Sequence, residues 1–296
     1  MERDSLSERQ KMKVRILTAI GIAVFGIPLL IFSDYVIYPI ALGLLCAIAA
    51  FELMRVFGVH KNWFVSIPTY VMTALLPIVY FLTVPKNAPR EEVYGYIVTL
   101  FLAVAVYILY LAAVAVFSGG RLPFSTLALT FASVTYITFA FNALAMLRYM
   151  PYGAYIYLMV FIGAWTCDTF AYFTGRLFGR HKLAPTLSPK KTVEGSIGGM
   201  LFTVGGFALY GFIIECVDKN VEANYLALCL IGLALSVVSQ IGDLFASLIK
   251  REYGVKDYSR MLPGHGGVMD RFDSILAVSI VLLVLCYFFT PFTSVF

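Results

Sequence analysis

Nine stretches of about 20 residues, at 16–32, 35–54, 64–84, 93–117, 123–147, 154–175, 197–215, 224–249 and 271–291, carry almost no charge, and that length is what a helix needs to cross the hydrocarbon core of a bilayer. Inside lipid only a helix or a closed barrel satisfies its own backbone, and runs this long read as helices. Composition agrees: 60% of the chain is apolar and 13% is charged, against about 25% charged in an ordinary soluble domain. A disordered chain and an ordinary soluble fold are both excluded. The expected class is all-α, a polytopic membrane protein with about nine transmembrane helices and a polar, cytoplasm-facing intramembrane cavity. The first apolar run follows MERDSLSERQKMKVR without an A-x-A-like cleavage site, so it reads as a retained span instead of a signal peptide.

Charge placement fixes a direction. With the N-terminus in the cytoplasm, the 22 Lys and Arg divide into 18 on the cytoplasmic side and 4 (Lys86, Arg90, Arg148, Lys219) on the other, and cations favour the cytoplasmic face. That puts the C-terminus outside and residues 176–196 and 250–269 in the cytoplasm, in a bacterial-type inner (plasma) membrane. A net charge of +5 is too little for a nucleic-acid binder, and the cations cluster instead on the cytoplasmic side of the membrane. The five cysteines lie in or beside apolar runs, odd in number and without ligand spacing, and read as small core residues.

Residues 1–150, holding helices one to five, have short loops, and Glu52 is almost their only intramembrane acid; residues 151–296, holding helices six to nine, carry the polar motifs. Along 224–249, Ser236, Ser239, Gln240, Asp243, Ser247 and Lys250 recur at steps of three and four and form one helical stripe. A carboxylate at Asp243 there needs a cation, a proton, a metal or a partner on a neighbouring helix. Asp270 and Asp273 share a face at i and i+3 at the start of the next span; Asp270 also suits the positive end of a helix dipole. If the two spans are antiparallel neighbours, the three carboxylates converge, and oxygen donors without Cys or spaced His suit Mg²⁺, as one or two ions.

Asp168 shares a helical face with Trp165, Tyr172, Gly175 and Arg176. The loop after it, 181–195, mixes His181, Lys182, Ser188, Lys190 and Lys191 with prolines. Such a segment can wrap phosphates, and its lysine pair equally suits acidic lipid headgroups. Gly195, Gly198, Gly199, Gly205, Gly206 and Gly211 suit close helix packing, within one chain or between copies in a homo-oligomer. In the loop 250–270, His265 among Gly264, Gly266 and Gly267 fits either a phosphate-binding turn or a structural hydrogen bond. Neither G-x-x-x-x-G-K-[ST] nor G-x-G-x-x-G occurs.

From Ser247 to Asp273 the chain reads S-x-I-K-R-x4-K-D-x-S-x2-L-P-x-H-G-G-V-x-D-R-F-D, which resembles the signature of the phosphatidate cytidylyltransferase (CDP-diacylglycerol synthase) family. Asp168–Arg180, D-T-x-A-Y-x2-G-R-x-x-G-R, and Ser188–Gly195, S-P-K-K-T-x-E-G, resemble further stretches of the same family. The likeness is strong over 163–273; earlier it rests on hydropathy and on Phe51-Glu52-Leu53. Membership implies transfer of a cytidylyl group from CTP to phosphatidic acid at the bilayer surface, with Mg²⁺. On the matched positions, the catalytic set is Asp243, Asp270, Lys250, Arg251, His265 and Asp273. Asp243, Asp270 and Asp273 are the metal ligands, with Asp273 the outer or second-metal candidate. Asp168, Ser188, Lys190, Lys191, Lys256 and Arg271 form the nucleotide side. Two other readings compete. A CDP-alcohol phosphotransferase lacks its D-x2-D-G-x2-A-R pattern here, and an ion or lipid transporter using the intramembrane Asp residues leaves the dense loop at 247–273 without a purpose.

Overall fold

In the computed structural model, residues 8–294 are described; Arg3, counted among the cytoplasmic cations, lies outside them. The helices are α1 (Glu8–Ile31), α2 (Ile37–Val56), α3 (Trp63–Thr83), α4 (Arg90–Phe117), α5 (Phe124–Tyr149), α6 (Gly153–Phe178), α7 (Val193–Val217), α8 (Tyr225–Glu252) and α9 (Met269–Phe288). Four short strands accompany them: β1 (Lys182–Ala184), β2 (Ser188–Thr192), β3 (Val221–Ala223) and β4 (Phe292–Ser294). Among the described residues nine helices are long and apolar enough to cross a membrane, as the hydropathy pattern requires. Large side chains such as Phe25, Leu109, Phe117 and Leu201 stand exposed along them, a surface that only lipid accommodates at this scale. The protein is a multi-pass membrane protein.

The chain forms two compact units. One comprises Met1–Val84, Arg90–Ala145 and Tyr253–Phe272. Within it, α2 and α3 pack tightly because Gly43 has no side chain where the Ala74 carbonyl lies. Buried polar groups pair across its helices: Thr69 Oγ1 and Tyr107 Oη lie 2.8 Å apart, and Tyr96 donates to the Leu76 carbonyl at 2.9 Å and to Asn142. Such pairing is what the absence of water at this depth demands.

The other unit comprises Pro85–Pro89, Met146–Glu252 and Asp273–Phe296. Its α6 and α7 approach through glycines: a Cβ at Gly195 would sit 2.6 Å from the Ala171 carbonyl, one at Gly199 2.9 Å from that of Cys167, and one at Gly198 against Thr174. Gly211 makes room for Leu228 of α8, whereas Gly205 faces open space. The small-residue face therefore serves packing within the chain at most of its positions. Gly242 gives α8 its approach to α9, where an added Cβ would meet Ala277 at 2.7 Å and the Asp273 carbonyl at 3.0 Å.

Strands are absent from the hydropathy reading, which describes apolar runs and not the polar joints between them. β1 and β2 pair antiparallel, Lys182 opposite Thr192 and Ala184 opposite Ser188, so the loop after α6 is an ordered hairpin turning at Pro185-Thr186-Leu187. β3 and β4 pair antiparallel, Val221 opposite Ser294.

Candidate functional site

The hairpin leads directly into α7. Thr192 is extended, φ −126° and ψ 155°, and its side chain caps the helix by accepting from the Gly195 amide at 3.1 Å, a role for which Thr is well suited. Glu194, in the first turn, accepts from the Arg180 amide at 3.0 Å and lies 2.6 Å from His181 Nδ1, closing the hairpin base. Gly175 and Gly179 leave α6 open to Thr192, which a Cβ at either position would strike. These contacts hold β2 over one face of α6.

Between α6, the hairpin, the start of α7 and α8 lies a cavity of about 300 Å³, with Asp168, Arg176, Lys190, Lys191, Gln240 and Asp243 among its lining residues. Lys191 Nζ and Asp243 Oδ2 form an ion pair at 2.5 Å. Asp168 lies within electrostatic reach of both, and its Oδ2 is 3.4 Å from the Ser274 hydroxyl of α9. Asp273 in turn feels Asp243, Asp168 and Lys250, while its Oδ1 accepts from the Ser274 amide at 2.8 Å. The polar stripe of α8 is buried as its spacing implies: Ser236, Ser239 and Gln240 are all enclosed, and the Cys167 thiol donates to the Ser236 carbonyl.

This unit therefore brings together Asp168, Lys190, Lys191 and Asp243, with Asp273 and Lys250 close in field. Three carboxylates stand among the lysines Lys190, Lys191 and Lys250, and all the acidic donors are hard oxygens, the chemistry that suits Mg²⁺. Within either unit, among the described residues, no three His, Cys, Asp or Glu side chains already stand as a ligand shell. Asp243 is held by Lys191 instead. Ser188 starts β2 and is half-buried, and Arg251 is exposed in the last turn of α8.

Asp270, His265, Lys256 and Arg271 belong to the other unit. Asp270 Oδ2 accepts from the Tyr258 amide at 2.8 Å and the Gly267 amide at 2.9 Å. Arg271 Nε donates to the His265 carbonyl at 2.9 Å. His265 Nδ1 is buried without a hydrogen-bond partner, between Gly264 and Gly266, whose φ values of +76° and +84° suit glycine and strain other residues. Lys256 is exposed. Sequence spacing alone gave no role to Glu194 or Thr192, although a Thr just before an apolar run with an acid in the first turn is a recognisable helix start. It also left Glu52 without a partner, where an acid inside an apolar span was itself the signal.

Residues 13–289 match the Cytidylyltransferase family. The chain is 35% identical over 271 residues to a phosphatidate cytidylyltransferase of Staphylococcus epidermidis, covering 90% of this chain and 96% of that protein. It is 36% identical over 267 residues to that of Staphylococcus haemolyticus and 36% over 269 residues to that of Staphylococcus aureus strain COL, with the same coverage. With a matching motif set, a matching length and a carboxylate-lysine cavity between the motif-bearing helices, the chain belongs to the cytidylyltransferase family.

Proposed function

We propose that this protein transfers the cytidylyl group of CTP to phosphatidic acid, giving CDP-diacylglycerol and pyrophosphate, with Mg²⁺. The observation that carries the reading is the Lys191–Asp243 pair beside Asp168, at the wall of a cavity lined by two of the three resembling segments, Asp168–Arg180 and Ser188–Gly195. The relatives' shared name supports the substrate, since the match runs over nearly their whole length.

In the reaction a phosphate oxygen of the lipid attacks the α-phosphorus of CTP, the bond to the β-phosphate oxygen breaks, and pyrophosphate leaves. Little covalent chemistry is asked of the protein; the need is for charge neutralisation and alignment. Lys191 and Asp243 suit it as a matched pair, the ammonium for a phosphate oxygen and the carboxylate for a divalent cation. Arg176 and Lys190 add donors on the same wall, and Lys250 and Arg251 add positive charge at the end of α8. Asp243 would hold the metal with Asp273 beside it; Asp270 joins the set on its place in the signature. Bound Mg²⁺ would supply charge stabilisation at the phosphoryl oxygens. Gln240, Ser239 and Ser236 keep the deeper stripe polar without adding charge.

The cation distribution supports an N-terminus in the cytoplasm and a C-terminus outside, in the plasma membrane. CTP then arrives from water and the lipid sideways from the leaflet. Purified protein in vesicles containing phosphatidic acid, given labelled CTP and Mg²⁺, should form a lipid-soluble cytidine product and stop on chelation. No product at any divalent concentration would overturn the reaction. In a background without native cysteines, labelling of a Ser188→Cys variant by an impermeant reagent outside intact cells would overturn the orientation.

A further inference from the structure

Glu52 is wholly buried in α2, inside an apolar span where an unsatisfied carboxylate is expensive. Its Oε1 accepts from the Ser259 hydroxyl at 2.6 Å and the Val268 amide at 2.9 Å, and its Oε2 accepts from the Met269 amide at 2.8 Å. Val268 and Met269 open α9, where amides lack partners within the helix and where the helix dipole favours negative charge. The amide just before them, that of Gly267, is taken by Asp270 Oδ2. Three consecutive amides are thus divided between two carboxylates, one from α2 and one from the turn itself. Gly267 has no space for a side chain, because a Cβ there would press on both Glu52 oxygens. The rest of the segment leans on the same helices: Thr18 of α1 donates to the Pro263 carbonyl at 2.9 Å, and the Phe57 and Tyr253 rings are 5.1 Å apart. Apart from the single bridge between Leu262 and Gly266, the residues from 253 to 268 have no strand pairing of their own among the described residues.

We infer that Glu52 is a positioning residue for the reaction. It ties residues 259–269 to α2 by accepting from the Ser259 hydroxyl and the Val268 and Met269 amides, and so sets where Asp270 and Arg271 are presented to substrate. The first helices thereby acquire a catalytic purpose beyond spanning the membrane. The inference rests on the proposed cytidylyl transfer for its kinetic part and on geometry alone for its structural part.

The test uses full-length protein in nanodiscs with three variants. Glu52→Gln is nearly isosteric yet turns an amide donor toward another donor; Glu52→Asp keeps the charge at shorter reach; Ser259→Ala removes one donor only. For Glu52→Gln, amide exchange should quicken in peptides covering 257–270 and stay unchanged in α3. The kcat/KM for CTP should fall about 10²-fold, with KM itself raised about 10-fold. A misfolded fraction would lower kcat and leave KM where it was. Glu52→Asp should recover part of the loss, and Ser259→Ala should shift both readouts in the same direction by less. Wild-type exchange in 257–270 for Glu52→Gln, or faster exchange with unchanged KM and kcat, would overturn the inference. If the wild type forms no cytidine lipid, the proposed function fails and the positioning role with it, while the exchange measurement still decides whether Glu52 anchors the turn.

Discussion

The two polar segments that carry the motifs, 181–192 in one unit and 253–270 in the other, are ordered by opposite means. The hairpin supplies its own backbone ladder between β1 and β2, so its backbone does not need its lysines as partners, and Lys190 and Lys191 reach the cavity, Lys191 against Asp243. The segment 253–270 has a single bridge, and the amides of Tyr258, Gly267, Val268 and Met269 turn to two carboxylates, the buried Glu52 and the half-buried Asp270. Backbone groups away from water must find partners one way or the other. A loop with a ladder can spend its side chains on function, whereas a loop without one ties acids into its scaffold.

That contrast can be broken most forcefully at the acids. Asp243→Asn should lower cytidylyl transfer by at least about 10²-fold while the protein still inserts and purifies normally, because a charged oxygen ligand is removed at nearly constant shape. Asp270→Asn should do the same if its carboxylate serves chemistry as well as the turn. Wild-type activity of Asp270→Asn in saturating Mg²⁺ would assign it to the scaffold alone and remove it from the metal set. Next in size is Lys191→Ala, expected to reduce kcat/KM by about 10²-fold, the scale of a lost charge-stabilising donor. Thermal stability in detergent should change little, since the β1–β2 ladder remains. A large fall in stability without a kinetic effect would make the hairpin lysine structural and erase the contrast.

Smaller effects compare glycines within 253–270. Gly267→Ala places a methyl against the Glu52 carboxylate and should destabilise by about 1–3 kcal/mol, as overpacking does. Gly254→Ala meets nothing within 4 Å at φ +64° and should lose only about 1 kcal/mol to left-handed strain. Thermal unfolding of the two variants in detergent tests the ordering, and equal losses would mean that the Glu52 side is loosely packed. The smallest change is Thr192→Val, which removes the cap on α7 and should lower stability by about 1 kcal/mol, with exchange quickening at the Gly195 amide. An unaltered Gly195 amide would place the hairpin's hold on α7 in Glu194 instead.

Much of this arrangement is legible in the chain itself. Nine apolar runs dictate nine helices because lipid admits no alternative for backbone polar groups. The steps of three and four from Ser236 to Asp243 dictate a buried polar stripe, because a helix repeats every 3.6 residues. The motif spellings around Asp168, Ser188 and Ser247–Asp273 point to the family, since residue types at fixed spacing are a property of sequence. The β1–β2 hairpin is less legible: its strands are three and five residues long, too short for an alternation to stand out. What only the folded chain decides is pairing across distance. That Lys191 meets Asp243, 52 positions on, and that Glu52 meets Val268, 216 residues away, depends on which helix lies beside which. Hydropathy is silent on that choice, because every span is equally at home in lipid. It is settled by where glycines allow close approach and where a buried charge finds its donors.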